Sequence, residues 1–199
     1  MVTSTFVPVL SIGDSLRLGD VLPSNFSGGD GDTVQFFNLN GNGAIETTAT
    51  YYEGYGWFDY SSNAPLDDKV IPVGSGMFAF SSQADAEFLV SGQVKLEPIS
   101  LPVAAGYTVV GNSSPVDIIL GDVVPSNFSG GDGDTIQFFN PNGNGSVLTT
   151  ATYYEGYGWF DYSSNEPLDS VVLTSGDSFF AYASKNNATF AFPGIVLAD

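Results

Sequence analysis

Apolar and polar residues alternate along this chain in short runs, and clusters of turn-forming residues separate the runs. Five runs rich in β-branched and aromatic residues predict strands in the first half: Thr33–Phe37, Thr47–Tyr52, Trp57–Tyr60, Met77–Ser81 and Glu87–Val90. Clusters of Gly, Pro, Asn and Ser between them predict tight turns. No stretch carries apolar residues at helical spacing over three turns, so we expect at most a single helical turn, near Asp20–Asn25.

The whole strand pattern occurs twice in the chain. The sequence from Leu18 to Glu97 returns without a gap from Leu120 to Asp199, and about two thirds of the aligned positions are identical. This internal duplication, with its short strands and closely spaced turns, predicts an all-β protein of two tandem β-sandwich or small-barrel domains. We place the domains at residues 1–102 and 103–199, joined by a stiff segment at 97–102 that contains two prolines.

Charge and composition disfavour several classes of function. The chain has 22 acidic and four basic residues, and its net charge of −18 repels phosphate backbones and anionic lipids, so we expect neither nucleic acid nor a membrane surface as partner. No apolar run is long enough to insert into a membrane, and no export signal opens the chain. Without Cys or His there is no thiolate nucleophile and no imidazole base, so we expect a protein that is not an enzyme.

An aromatic hairpin that is present in both copies is the first candidate site. Its rings surround a turn flanked by glycines, and the ligand candidates among them are Tyr55, Trp57, Tyr157 and Trp159. Strand alternation puts Tyr51 and Trp57 on one face of the hairpin. Most large rings of a small β domain are needed in its core, whereas exposed rings bury well against sugars. The hairpins therefore predict either core packing or a pair of carbohydrate-binding surfaces, with the two tip tyrosines as the better ligand candidates.

Gly-rich acidic loops form the second candidate site. Oxygen-bearing side chains recur at alternate positions: Asp30, Asp32, Asn38, Asn40 and Asn42, with second copies at Asp132, Asp134, Asn140, Asn142 and Asn144. Such side chains suit calcium, which takes six to eight oxygen ligands. The loops match neither the EF-hand pattern nor the calcium-binding nonapeptide, and the same residues also build turns without a metal. We therefore predict calcium as a cofactor, with turn formation as the alternative.

Carboxylates beside the aromatic hairpins raise a third hypothesis. Glu53 and Asp59, repeated as Glu155 and Asp161, flank a tight turn. A glycosidase needs two carboxyl groups about 5–9 Å apart across a sugar, and residues on either side of a turn can reach that separation. Solvated turn charges explain the same residues without chemistry, and the duplication of a small domain is more typical of binding and structural proteins.

Four motifs of the second copy form a recognisable series. They are GYTVVGNSSP at 106–115, GDTIQFFN at 133–140, TYYEGYGWFD at 152–161 and SGDSFFAY at 175–182. The series resembles β-repeats found in exported, largely uncharacterised bacterial surface proteins. The resemblance covers the whole second copy but the first only from about Leu18, where the VGNxxP motif is missing. It implies export and a location outside the cell or on its surface, and it implies no particular activity.

The missing opening strand of the first copy suggests how chains associate. A copy without this strand would leave a sheet edge exposed, which natural proteins rarely tolerate. Either the segment TFVPVL fills the gap within the chain, or a strand from a neighbouring subunit does so by β-augmentation. The candidate donor residues are Thr5, Phe6, Val7, Val9 and Leu10.

The sequence thus favours an extracellular structural protein whose copies self-associate. Contacts that run head to tail and do not close produce filaments, and calcium between acidic subunits would strengthen them. The alternative is a tandem carbohydrate-binding module in which the two aromatic hairpins bind glycans with avidity.

Overall fold

A computed structural model of the chain describes residues 3–8, 16–90, 97–112, 114, 116–140 and 145–194, the first of these ranges as backbone only. Strands, turns and single turns of 3-10 helix make up the secondary structure of these ranges. The 3-10 turns are Leu18–Asp20, Gly28–Asp30, Leu120–Asp122 and Gly130–Asp132. The prediction of an all-β protein is therefore confirmed. No helix in the described ranges is long and apolar enough to cross a membrane.

Nineteen strands account for this architecture in the described residues. The strands of the first half are β1 (Thr3–Pro8), β2 (Leu16–Arg17), β3 (Val21–Ser24), β4 (Thr33–Phe37), β5 (Ile45–Tyr52), β6 (Gly56–Asp59), β7 (Val70–Ile71), β8 (Gly76–Ser81) and β9 (Glu87–Val90). The remaining strands are β10 (Ile99–Val103), β11 (Gly106–Gly111), β12 (Ile118–Ile119), β13 (Val124–Ser126), β14 (Thr135–Phe139), β15 (Val147–Tyr154), β16 (Gly158–Asp161), β17 (Val172–Leu173), β18 (Ser178–Ala183) and β19 (Ala188–Phe192). The five strands predicted for the first half correspond to β4, β5, β6, β8 and β9, with ends that agree within two residues.

Two five-stranded antiparallel sheets share one strand order. The first runs β1–β8–β4–β5–β6 and the second runs β11–β18–β14–β15–β16. Their registers also agree, because Val34 pairs with Ala49 in the first sheet and Ile136 pairs with Ala151 in the second. Strand β1 takes the place that β11 takes in the second sheet, so an opening strand exists in the first half as well.

The smaller sheets differ between the halves at one place. Strand β3 pairs with β9 in a two-stranded sheet, whereas its counterpart is three-stranded in the order β10–β19–β13. The third strand, β10, is formed by residues 99–103, so most of the segment predicted as a stiff joint is a strand. Its Pro102 is compatible with this position because the outer side of an edge strand needs no N–H donor.

Buried apolar side chains of the described residues form two clusters. The cluster of the first half surrounds Trp57, and the cluster of the second half surrounds Trp159. Ile99, Leu101 and Val103 of β10 belong to the second cluster. Strand β10 therefore packs with the second half, and the division into two domains stays a prediction.

Candidate functional site

The tryptophans of the aromatic hairpins lie in the core. Trp57 is 1% exposed and Trp159 is fully buried, and their indole N–H groups donate to the carbonyls of Val21 and Val123 at 3.0 and 2.9 Å. A ligand on the surface cannot contact these rings, so their assignment as ligand residues is wrong. The physical reason is that an indole ring carries a large apolar area and its single N–H is satisfied here by a backbone carbonyl.

The tip tyrosines of the same hairpins are on the surface. Tyr55 is 80% exposed and Tyr157 is 79% exposed. The backbone N–H of Tyr55 donates to the carbonyl of Tyr52 at 2.9 Å, which closes the turn and holds the ring at its outer end. The predicted faces are confirmed, since Tyr51 pairs with Trp57 and their ring centroids lie 5.2 Å apart. Each half thus presents one exposed tyrosine at a hairpin tip.

The inner aspartates of the two acidic loops point into the fold. Asp32 is completely buried, and its carboxylate accepts the backbone N–H groups of Ser27 at 3.0 Å and Ser82 at 2.7 Å. Asp134 is buried in the same way and accepts N–H groups from Ser129 and Ser184. Each carboxylate therefore ties its loop to the residue that follows strand β8 or β18.

The outer aspartates of the acidic loops differ between the copies. Asp30 is exposed, whereas Asp132 accepts a hydrogen bond from the ammonium of Lys185 at 2.6 Å. This hydrogen bond and the attraction of the Asp132 charge raise the pKa of Lys185 above its usual value. The first copy has Gln83 at the position of Lys185, so the second loop alone has this ion pair.

The asparagines of the first acidic loop form a series of Asx turns. The side-chain carbonyl of Asn38 accepts the backbone N–H of Asn40, that of Asn40 accepts from Asn42, and that of Asn42 accepts from Ala44, at 3.3, 3.2 and 2.9 Å. This is the turn-forming alternative that the sequence left open. In the second copy Asn140 is described, and Asn142 and Asn144 lie outside the described residues.

Acidic side chains do not converge within the described residues. No group of three or more His, Cys, Asp or Glu in these ranges is placed to hold a metal ion. The carboxylate oxygens of Asp32 and Asp134 already accept hydrogen bonds from the fold. The calcium site stays a prediction.

The two aspartates of the glycosidase hypothesis accept hydrogen bonds within their own turns. Asp59 accepts hydrogen bonds from the hydroxyls of Ser61 and Thr47 at 2.7 Å, and from the N–H and hydroxyl of Ser62 at 2.8 Å. These bonds, with Ser61 first, hold the pKa of Asp59 well below its usual range. In the second copy the pKa of Asp161 is lowered in the same way, and the hydrogen bond from the hydroxyl of Thr149 makes the largest contribution. A general acid of a glycosidase requires the opposite shift, so these aspartates are suited to holding a turn.

The proposed donor strand is paired within its own chain. In β1, Thr5, Phe6 and Val7 lie opposite Ala79, Phe78 and Met77 of β8. This is the first of the two alternatives left open by the sequence, and Val9 and Leu10 lie outside the described residues. Gapless alignment of the two copies hides the correspondence. A shift of one residue aligns TFV at 5–7 with TVV at 108–110, and that signal would have favoured pairing within the chain.

One feature of the site was not predicted from the sequence, namely the backbone edge of β9 that faces away from β3. We call it the β9 edge. In the second half, the equivalent edge of β19 pairs with β10. Among the described residues, β9 pairs with β3 alone, at Glu87–Val90 against Val21–Ser24. Within the described residues the β9 edge is therefore unpaired, whereas the equivalent edge of β19 is paired.

Comparisons with known proteins add no assignment to this geometry. The chain matches no family model, no curated protein and no solved structure.

Proposed function

We propose that this protein is a non-enzymatic structural protein, located outside the cell or on its surface, whose copies associate head to tail by β-strand addition. The observation that carries the proposal is the β9 edge, which has no partner strand among the described residues, whereas the equivalent edge of β19 is paired with β10. An unpaired row of backbone N–H and C=O groups is a template for a strand from another chain. When one surface of each copy binds a different surface of the next copy, the contact repeats from copy to copy and builds a filament, unless the copies close into a ring.

The charge of the chain sets the conditions under which it would assemble. Each chain carries a net charge of −18, so association is opposed by repulsion between chains. Salt screens this repulsion, and the screening distance falls from about 10 Å at 0.1 M to about 3 Å at 1 M. Calcium would act in the same direction and more strongly if it bridges the acidic loops of neighbouring chains, as the sequence predicts.

Electron microscopy with light scattering tests the proposal directly. We expect filaments or large oligomers that grow with ionic strength, and a further increase with calcium that a chelator reverses. Leu89→Lys, at an exposed position of β9, should dissociate them, because a charged side chain on an edge strand opposes the addition of another strand. Val70→Lys is the matched control on the exposed side of β7, and it should assemble like the parent. A monomer of 20.9 kDa under all of these conditions would contradict the proposal.

A second candidate function, glycan binding, is favoured by the exposure of Tyr55 and Tyr157 alone. Two equally exposed rings at hairpin tips suit a polymeric ligand, for which two linked sites raise apparent affinity about 10²–10⁴-fold over one. Titration of soluble glycans against Tyr55→Ala, Tyr157→Ala and the double variant tests this function. Each single variant should lose the avidity and the double variant should lose binding. Tyr60→Ala, at an exposed tyrosine away from the tips, should bind normally.

A further inference from the structure

The two copies of the fold differ in how their last strand is covered. Strand β19 lies between β10 and β13 and pairs with both. Strand β9 has the same place in the first half and pairs with β3. Because the two copies otherwise share strand order and register, the second half shows how a strand on the β9 edge would pair.

The core of the first half is less well covered at this place. Ala188 and Phe190 of β19 are fully buried and Phe192 is 1% exposed. Their counterparts Ala86, Phe88 and Val90 pack against the first core but remain partly exposed. Burial of the β19 residues is shared with Ile99, Leu101 and Val103 of β10, which belong to the same cluster. A strand on the β9 edge would therefore complete the burial of three apolar side chains.

The receiving surface is already arranged for such a strand. Phe88 stacks on Trp57 with centroids 6.5 Å apart, as Phe190 stacks on Trp159 at 6.2 Å. Phe88 also meets the ring of Phe26 edge-on at 4.9 Å, and the second half has the same contact at the same distance. Binding would therefore need little reorganisation of β9, which favours affinity.

We propose that the β9 edge binds an extended segment of another polypeptide chain that has the pattern of β10. The pattern is three apolar residues at alternate positions, as in Ile99, Leu101 and Val103, with small or proline residues between them. This inference rests on the proposed function and deepens it, because it names the ligand of the open edge and its orientation. The segment pairs antiparallel to β9 and directs its three apolar side chains onto the first core.

The pairing of β10 with β19 fixes the expected register. Ser100 lies opposite Ala191, and Leu101 lies opposite Phe190. Transferred to the first half, Ser100 of a bound β10-like segment lies opposite Leu89, and Leu101 lies opposite Phe88. Leu89 is 63% exposed, so a substitution there does not disturb the core.

Disulfide trapping tests this register because the chain contains no cysteine. The probe is a synthetic peptide of residues 97–104 with Ser100→Cys, incubated with the full chain carrying Leu89→Cys under mild oxidation. Residues directly opposite in an antiparallel pair have Cα atoms about 4.5–5.5 Å apart, within the range of a disulfide. We expect a one-to-one adduct that forms at least tenfold faster than with a peptide that also carries Leu101→Asp.

Two matched variants control for unspecific oxidation. Ala191→Cys places an exposed thiol at the same position of the second half, where the chain's own β10 already pairs, so it should react slowly. Glu87→Cys places a thiol on the same exposed face but two residues out of register, and it should react slowly as well. Equal adduct yields at Leu89→Cys, Glu87→Cys and Ala191→Cys, or no adduct at any of them, would overturn the inference.

The same reagents separate this inference from the proposed function. Trapping in register by a chain that stays monomeric in light scattering would support the docking site and contradict self-assembly. Filaments that form while the peptide neither traps nor inhibits assembly would support self-assembly by another surface and contradict the docking site.

Discussion

Each acidic loop contains two aspartates that look equivalent in the sequence but have different surroundings in the fold. Asp32 is buried and accepts two backbone N–H groups, while Asp30 two residues earlier is exposed. Alternation of oxygen-bearing residues cannot distinguish these roles, because the distinction depends on Ser82, which lies 50 residues later in the chain. The predicted calcium ligands are therefore a mixed set in which the inner aspartates hold the fold together.

Substitution of the inner aspartate is the first prediction at the residue scale. Asp32→Ala leaves the N–H groups of Ser27 and Ser82 without an acceptor, and we expect a loss of about 3 kcal/mol in the free energy of unfolding. Urea denaturation followed by circular dichroism measures this loss. Asp30→Ala should stay within about 0.5 kcal/mol of the parent, as exposed substitutions do. Equal effects of the two variants would argue against the structural role of Asp32.

The turn aspartates give the second prediction, on pH. The folded-state pKa values of Asp59 and Asp161 are lowered by their Ser and Thr donors, so these groups contribute stability above the ordinary Asp pKa of about 3.9. The contribution is lost as the pH falls below that value towards the lowered pKa. We expect the double variant Asp59→Asn and Asp161→Asn to be less stable at pH 7, and to lose less stability than the parent between pH 4 and pH 2.

Thermal unfolding across this pH range measures the effect. If the Asp59→Asn and Asp161→Asn double variant kept the pH dependence of the parent, the hydrogen bonds would lower the pKa of the two aspartates equally in the folded and the unfolded chain.

At the scale of elements, strands with a clear alternation of apolar and polar residues were predictable from the sequence. Strand β10, which joins the end sheet of the second half, was not. Thr33–Phe37 and Glu87–Val90 have the predicted bounds because β-branched and aromatic residues lie between strong turn signals. Residues 99–103 contain a proline, which favours a linker in a sequence reading but is compatible with an edge strand. Strand β1 was predicted as one of two alternatives for TFVPVL, and a one-residue shift between the copies would have favoured pairing within the chain.

The contact between β10 and the first half gives the third prediction. Gly74 has a φ of +72°, and a Cβ on it would lie 2.1 Å from a methyl group of Leu101. Gly54 has a similar φ of +77°, and a Cβ there would have no neighbour within 4 Å. Both alanine variants carry backbone strain of about 1–2 kcal/mol. Gly74→Ala alone adds the clash, so we expect about 1–3 kcal/mol of further destabilisation in urea denaturation.

A second substitution isolates this contact. Leu101→Ala removes the methyl groups that clash, so Gly74→Ala should cost less in that background than in the parent. Additive effects of Gly74→Ala and Leu101→Ala would show that the turn at Gly74 does not press against β10.

At the scale of the whole molecule, the duplication explains why the two five-stranded sheets share one strand order. The two end sheets differ, because one has two strands and the other has three. The acidic charge, the aromatic hairpins and the acidic loops were evident from the sequence, because both copies contain them. The difference between a two-stranded and a three-stranded end sheet was not evident, since it depends on which half β10 joins. That choice follows from long-range pairing of β10 with β19, and local sequence does not encode it.

Unequal coverage of the two cores leads to the last prediction, that the first half unfolds at a lower urea concentration than the second. Each half has one tryptophan in its core, so Trp159→Phe leaves Trp57 to report on an unaltered first half, and Trp57→Phe leaves Trp159 to report on an unaltered second half. Strand β10 buries three apolar side chains in the second half, each worth about 1.5–3 kcal/mol. The peptide of residues 97–104 should raise the Trp57 transition and leave the Trp159 transition unchanged. Coincident transitions would instead mean that the backbone hydrogen bonds between the halves, such as Gly111 N–H to Gly74 O at 2.8 Å, join both cores into one cooperative unit.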